Sequence, residues 1–283
     1  MGVRYLILTF FVIFTAFPFY FMLISSFKSD VDLYKREFNP LIFNWSPVAE
    51  SRGMTQSPTL EHYEYLFNKT EYPRFIANSL VIGVAVVMIT LALAVPASYS
   101  LARLSGNWGE RLGIMMFLVY LVPPTLLFIP MSRVIAILGL RNSILGLIVI
   151  YPTFTVPFCT WLLMGFMKSI PSDLEEQAMV DGYTRLEAIW RVMIPLALPG
   201  VLTVIVFAFT LTTHEYIYAL AFISSNSQKV ISTGITSTLI LGDVLFWQRI
   251  MAAGIMVAVP VSIVYNFFLD RFVQGFTLGA VKG

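Results

Sequence analysis

Charge is what this chain most lacks. Only 12% of its 283 residues are Asp, Glu, Lys or Arg, about half the ~25% of an ordinary soluble domain. A water-soluble globular enzyme is thereby excluded. The single cysteine, Cys159, allows no disulfide framework. The two histidines, His62 and His214, are far apart and have no carboxylates or thiols at ligand spacing, so no metal centre is expected. No G-x-x-x-x-G-K-[S/T] phosphate loop occurs, and with it goes the usual site for ATP. The net charge of +2 is too small and too dispersed for nucleic acid, which needs a clustered basic face.

What the chain has instead is apolar: 58% hydrophobic residues, among them 24 Phe and 13 Met, and a mean hydropathy of +0.80. That is more apolar surface than one soluble core can bury, so the surrounding medium is lipid. A spanning helix needs about 20 apolar residues to cross ~30 Å of hydrocarbon. Six stretches meet or approach this, at residues 5–27, 75–102, 112–132, 142–167, 196–223 and 250–269. The expected fold is all-α, one polytopic membrane domain over residues 1–283 with six transmembrane helices. Arg4 and Lys28, Arg74 and Arg103, Arg111 and Arg133, and Arg141 and Lys168 bracket the first four stretches as interfacial anchors. Prolines inside the stretches, such as Pro18, Pro96, Pro123, Pro124, Pro130, Pro152, Pro157 and Pro260, predict kinks tolerated in a packed bundle. The first stretch is long and lacks a small-residue cleavage pattern, so it reads as an uncleaved anchor. An even number of spans places both termini on one side, and the basic residues of the short loops lean weakly toward a cytoplasmic one. Residues 28–74 form a long loop of mixed charge, in which Leu60, Tyr63, Leu66 and Phe67 mark the stripe of a helix packed on the bundle.

The loop at residues 168–195 carries the densest helix punctuation. Ser172 with Glu175, and Thr184 with Glu187, have capping-box spacing, and Gly182 is placed for a left-handed C-terminal cap. Two short helices at an angle are expected, the second interrupted by Pro195 at the entrance to the fifth span. Glu175 and Glu176 sit in a first turn, where the helix dipole favours negative charge. Asp181 falls at the unfavourable end unless a cation relieves it. Such a loop is either an amphipathic element on the membrane surface or a rigid knob offered to a soluble partner.

Glu176-Gln-Ala178, three residues, Gly182, nine residues, then Val192-x-Ile194-Pro195 resembles the E-A-A, three, G, nine, I-x-L-P signature of the membrane subunits of bacterial ABC importers. The resemblance extends to carbohydrate-type permeases related to the second membrane subunit of the maltose importer. It runs through residues 18–29, Asn78-Ser-Leu, Tyr99-Ser-Leu-Ala-Arg103, Leu138-Gly-Leu, Phe166-Met-Lys-Ser-Ile-Pro171 and the tail Gly279-Ala-Val-Lys-Gly283. Gln177 departs from the signature's first alanine, and Thr213-His214-Glu215 stands where Trp-Asn and an acid are typical.

The resemblance implies a type I ABC importer permease in the bacterial inner membrane, with both termini cytoplasmic and residues 28–74 outside. Its partners would be a second permease subunit, two ATP-binding subunits and an extracytoplasmic solute-binding protein, with membrane lipid around it and no nucleic acid. The chain itself would be no enzyme and bind no cofactor, because ATP and Mg belong to the ATPase subunits. Glu175, Glu176, Ala178, Asp181, Gly182 and Pro195 would couple it to them. The implied cargo is a sugar, oligosaccharide or polyol.

Thr210, His214 and Tyr218, at i, i+4 and i+8, are expected on one side of the fifth span along the solute pathway, with Glu215 turned to a partner or a water-filled cavity. Polar glue between helices explains the same residues equally well. A different class of protein, a secondary transporter driven by an ion gradient, would use Glu215 and His214 as a proton relay. A membrane enzyme is a more distant rival, because the spans offer only this one pair of groups.

Overall fold

The computed structural model describes residues 2–35, 38–241 and 244–280, so residues 281–283 of the quoted tail lie outside the described residues. Helix α1 spans Gly2–Ser26 and is followed by three short helices, α2 (Asp30–Tyr34), α3 (Pro47–Ser51) and α4 (Glu61–Lys69). Helix α5 (Tyr72–Tyr99) passes into a π turn, Ser100–Leu104, before α6 (Gly106–Tyr120), α7 (Pro124–Ile137), α8 (Ile144–Ile150) and α9 (Pro152–Ser169). Helices α10 (Ser172–Val180) and α11 (Arg185–Ala188) form the punctuated loop. A second π turn, Ile189–Met193, leads through α12 (Ile194–Leu196) into α13 (Leu198–His214). Helices α14 (Ile217–Phe222), α15 (Ile231–Leu239) and α16 (Trp247–Ala280) follow. Among the described residues the one strand pairing is a two-residue antiparallel step, Ile240–Leu241 against Val244–Leu245, so the architecture is all-α.

Among the described residues, four helical segments are long and apolar enough to cross a membrane: Gly2–Ser26, Tyr72–Leu104, Ile144–Ser169 and Trp247–Asn266. They correspond to the first, second, fourth and sixth expected stretches. The third and fifth are not single helices with a proline kink but pairs of helices, each bent sharply at a break. Gly106–Tyr120 and Pro124–Ile137 meet at 87°, and Arg185–Leu196 and Leu198–His214 at 74°, which brings the number to six if each bent pair is one span.

Proline explains both breaks, though not at every position expected. Pro123 precedes Pro124, and a residue before proline is pushed out of the α region; its ψ is 129°. The second break falls at Ala197, two residues before Pro199, and not at Pro195, which fits inside α12 beyond the wider π turn. Pro18, Pro96, Pro130, Pro157 and Pro260 lie inside helices that continue through them.

The chain divides into two compact units, one of Met1–Arg74 with Gly234–Ile263, the other of Phe75–Thr233 with Val264–Gly283. In the first, Lys28 and Asp32 pair at 3.1 Å with side chains 0% and 1% exposed. Burial works against the charged carboxylate of Asp32. Hydrogen bonds from Ser57, Asn44 and Lys28 outweigh it and hold the carboxyl below its ordinary value. His62 meets the Lys28 carbonyl at 2.8 Å, which fixes the facing of α4. His62 and Leu66 are its buried residues, while Leu60 and Phe67 of the expected stripe are exposed. A charge-free stripe cannot anticipate a buried histidine chosen by a backbone carbonyl.

The second unit is built around α9, which packs against α6 and α13. Val87, Ala94, Cys159, Leu163, Met167, Val204 and Ala208 form one apolar cluster, and Ile82, Ile135, Leu147, Tyr151 and Tyr218 belong to another. At the corner between the first π turn and α6 the backbones nearly touch. A Cβ on Gly109 would lie 2.0 Å from the Leu101 carbonyl oxygen.

Candidate coupling loop and solute pathway

Helix α10 starts without the capping box expected at Ser172. Its N-cap is Pro171, with no side-chain cap, and the Ser172 hydroxyl reaches only Asp173, at 3.4 Å. The reason is the direction taken by Glu175. Its side chain, 6% exposed, turns inward, where it accepts a hydrogen bond from Tyr99 Oη at the end of α5 and lies 3.7 Å from Arg103 Nε in the π turn. Arg185, half exposed on α11, reaches it at 4.0 Å. Arg103 also donates to the Ile170 carbonyl just ahead of α10. Glu175 is thus no part of an exposed acidic rim. It ties α10 to the end of α5, and Ala178 is buried one turn later on the same face.

The other end of α10 follows the expectation. Gly182 has φ of +96°, the Gly182 N–H donates to Met179 O at 3.1 Å and the Tyr183 N–H to Ala178 O at 3.1 Å. This is the paired closure of a left-handed helix end. Thr184 then caps α11: its hydroxyl accepts from the Glu187 N–H at 3.3 Å, and Glu187 Oε2 accepts from the Thr184 N–H at 2.9 Å. The outward face that results carries Asp173, Glu176, Gln177, Val180 and Asp181 around a shallow hollow. Val180 at its edge is 87% exposed. Of the six expected coupling residues, Glu176, Asp181, Gly182 and Pro195 are at the surface, whereas Glu175 and Ala178 face inward.

The expected pathway residues are not on one helical side. Helix α13 ends at His214, and Glu215, with ψ of 128°, turns the chain before α14. The Glu215 carboxylate accepts from the N–H of Tyr218 at 2.8 Å, from the N–H of Ala219 at 3.1 Å and from Tyr151 Oη at 2.9 Å. It therefore caps the first turn of α14 from within the protein. Tyr218 is 1% exposed and donates to the Pro124 carbonyl at 2.7 Å, so it is a packing residue in this conformation. His214 is exposed, and its Nδ1 lies 3.0 Å from the Thr210 carbonyl one turn back. Thr210 touches the Tyr265 hydroxyl. His214 and Glu215 each have other partners, and the geometry does not join them in a relay. Sequence reasoning missed Tyr99, Arg103 and Tyr151 as partners. The run Tyr99-Ser-Leu-Ala-Arg103 was already a signal, since it places both groups on one helix end.

The family described as binding-protein-dependent transport system inner membrane component matches residues 94–278, which include the whole of α10 to α14. The chain belongs to this family. The inner membrane ABC transporter permease protein YcjP of Escherichia coli is 33% identical over 279 residues, 98% of this chain and 94% of that protein. The sulfoquinovosyl glycerol transport system permease protein SmoH of Agrobacterium fabrum is 33% identical over 268 residues, 94% of this chain and 89% of that one. The trehalose/maltose transport system permease protein MalG of Thermococcus litoralis is 26% identical over 269 residues, 94% of this chain and 91% of that one. A crystal structure of a bacterial ABC transporter involved in alginate import contains a chain of the same fold, with a TM-score of 0.77, 19% identity and 95% of each chain covered. This permease is accordingly a multi-pass inner-membrane subunit of an ABC importer. It works in a complex with an ATPase and a solute-binding protein, and ATP is hydrolysed in the partner ATPase. That places the chain outside the class of ion-driven secondary transporters.

Proposed function

We propose that this permease has six spans with both termini cytoplasmic, and that it pairs with a second permease, two ATP-binding subunits holding ATP and Mg, and an extracytoplasmic binding protein. Its cargo is a sugar, oligosaccharide or polyol, and it has the type I fold. In this reading residues 168–195 are the cytoplasmic coupling loop, residues 28–74 lie outside, and residues 1–283 form one functional permease domain. The observation that carries it is the pose of α10. One face is held to α5 through Glu175, and the other offers Glu176, Asp181 and exposed Val180 to a partner. A knob rigid on one side and free on the other transmits the closure of an ATPase dimer to the spans. The relatives named for sulfoquinovosyl glycerol and for trehalose and maltose support a carbohydrate cargo.

Gly182→Val tests the knob. Nothing lies within 4 Å of a Cβ there, so crowding plays no part. The strain comes from φ of +96°, where a side chain costs about 1–2 kcal/mol and redirects α11. The reconstituted complex is expected to keep ATPase activity stimulated by the binding protein while solute uptake falls. Normal uptake would sink the coupling role of the loop, and an unfolded subunit would reduce Gly182 to a helix cap.

For the pathway, His214 remains the accessible candidate and Tyr218 does not. His214→Ala is expected to alter uptake or solute preference in complexes of normal yield, measured by competition among labelled sugars. Tyr218→Phe removes only the bond to Pro124, so a stability loss of about 1 kcal/mol with unchanged preference is expected. A changed preference in Tyr218→Phe with His214→Ala silent would reverse the assignment.

A further inference from the structure

We propose that residues 39–45 form an interfacial anchor lying in the membrane surface, with lipid itself as its partner. Depth is the first observation. Helix α1 has 25 residues, about 37 Å at ~1.5 Å per residue, longer than the ~30 Å hydrocarbon core. Tyr20 lies six residues before the end of α1 at Ser26, about 9 Å back along the axis. Its hydroxyl donates to the Leu41 carbonyl at 2.7 Å. After leaving α1, the chain therefore doubles back beside it to a level inside the end of that helix. With the ~7 Å by which α1 exceeds the hydrocarbon core on this side, that level is the edge of the core.

The second observation is how the backbone of the turn is satisfied. Asn44 Nδ2 donates to the carbonyls of Asn39 and Ile42 at 2.7 and 3.0 Å. Asn44 Oδ1 accepts from the Asn39 N–H at 3.2 Å, and Asn39 Oδ1 from the Leu41 N–H at 2.9 Å. Asp32 accepts from the Asn44 N–H at 3.1 Å and from Asn44 Nδ2 at 2.8 Å, while Lys28 donates to the Asn39 carbonyl at 3.0 Å. Two asparagines and a buried ion pair thus serve main-chain groups that water would serve in an ordinary loop. Non-helical backbone near hydrocarbon must find its partners within the protein.

The third observation is what faces outward: Leu41, Ile42, Phe43 and Trp45 are 37 to 59% exposed. They continue the exposed apolar surface of α1, whose Phe17, Phe19 and Leu23 are also exposed. Trp and Phe between apolar and polar zones are the composition of a membrane interface.

The test places a nitroxide at Ile42→Cys or Phe43→Cys, with Glu50→Cys as a reference on α3, in a Cys159→Ala chain. Each is assembled into the complete complex in lipid nanodiscs. Collisions with oxygen, which concentrates in lipid, are compared with those of a water-soluble nickel chelate. Labels at 42 and 43 are expected to favour oxygen several-fold over the label at 50. A preference for the chelate equal to that at 50 would make the turn an aqueous loop, and shielding from both reagents would assign it to a protein interface; either overturns the proposal. The two label sites are independent, so loss of assembly at one leaves the other to decide.

Discussion

Gly109→Ala is expected to destabilise this permease strongly. The new Cβ would stand 2.0 Å from the Leu101 carbonyl oxygen and 3.0 Å from its carbon, both backbone atoms that no rotamer change can move. The π turn Ser100–Leu104 would have to shift away from α6. Forcing atoms into a packed site costs about 1–3 kcal/mol and more when the neighbour is rigid, so the upper end of that range or beyond is expected here. The turn also carries Arg103, so its displacement would pull on α10 as well. Thermal denaturation of the purified subunit, followed by tryptophan fluorescence, measures the effect. Gly165→Ala is the control: its site on α9 has nothing within 4 Å of a Cβ, and Ala is the better helix former by about 0.8–1 kcal/mol. Equal stability of the two variants would show that the corner relaxes freely.

Glu175→Ala is the second large effect. It leaves Arg103, 13% exposed, without its carboxylate, and leaves the Tyr99 hydroxyl without an acceptor, at a site where Glu175 itself is 6% exposed. Removing one member of a buried pair costs about 3–5 kcal/mol, because the remaining charge is stranded. Glu175→Gln keeps an acceptor for Tyr99 and should lose less. Arg185→Ala should change stability by only about 0–1 kcal/mol, since that side chain is half exposed to screening solvent. A double-mutant cycle of Glu175→Ala with Arg103→Ala checks the assignment through denaturation midpoints. Additive losses would mean the two groups do not act together. In the assembled complex, loosening α10 from α5 is expected to lower uptake per ATP hydrolysed, a readout that simple loss of protein would not move.

The two capping boxes show where sequence legibility stops. Thr184 and Glu187 form theirs at an exposed helix start, where the other partner of Glu187, Arg191 at 3.9 Å, takes the second carboxylate oxygen and leaves Oε2 to the cap. Ser172 and Glu175 have the same spacing, but Tyr99 and Arg103, more than seventy residues earlier, offer the carboxylate a buried site. Local rules hold until a distant partner makes a better offer to the same atoms. Thr210, His214 and Tyr218 repeat the point. Helical spacing placed them together on an uninterrupted span, and Glu215 ended that span by turning its carboxylate onto the N–H groups of Tyr218 and Ala219.

By itself the sequence determined the lipid environment, the all-α class, four of the expected spans, the left-handed turn at Gly182 and the family. These follow from composition, from apolar run length and from residues whose effect is confined to their own backbone, and none needs a partner far away in the chain. Only the tertiary structure decided how sharply two expected spans bend, that the second break falls at Ala197 and not at Pro195, that Glu175 faces inward, and that Tyr218 is packing. The last two depend on a carboxylate or a hydroxyl meeting groups brought close by the fold. Such a meeting is favourable only once the apolar helices have already packed and excluded water from around it.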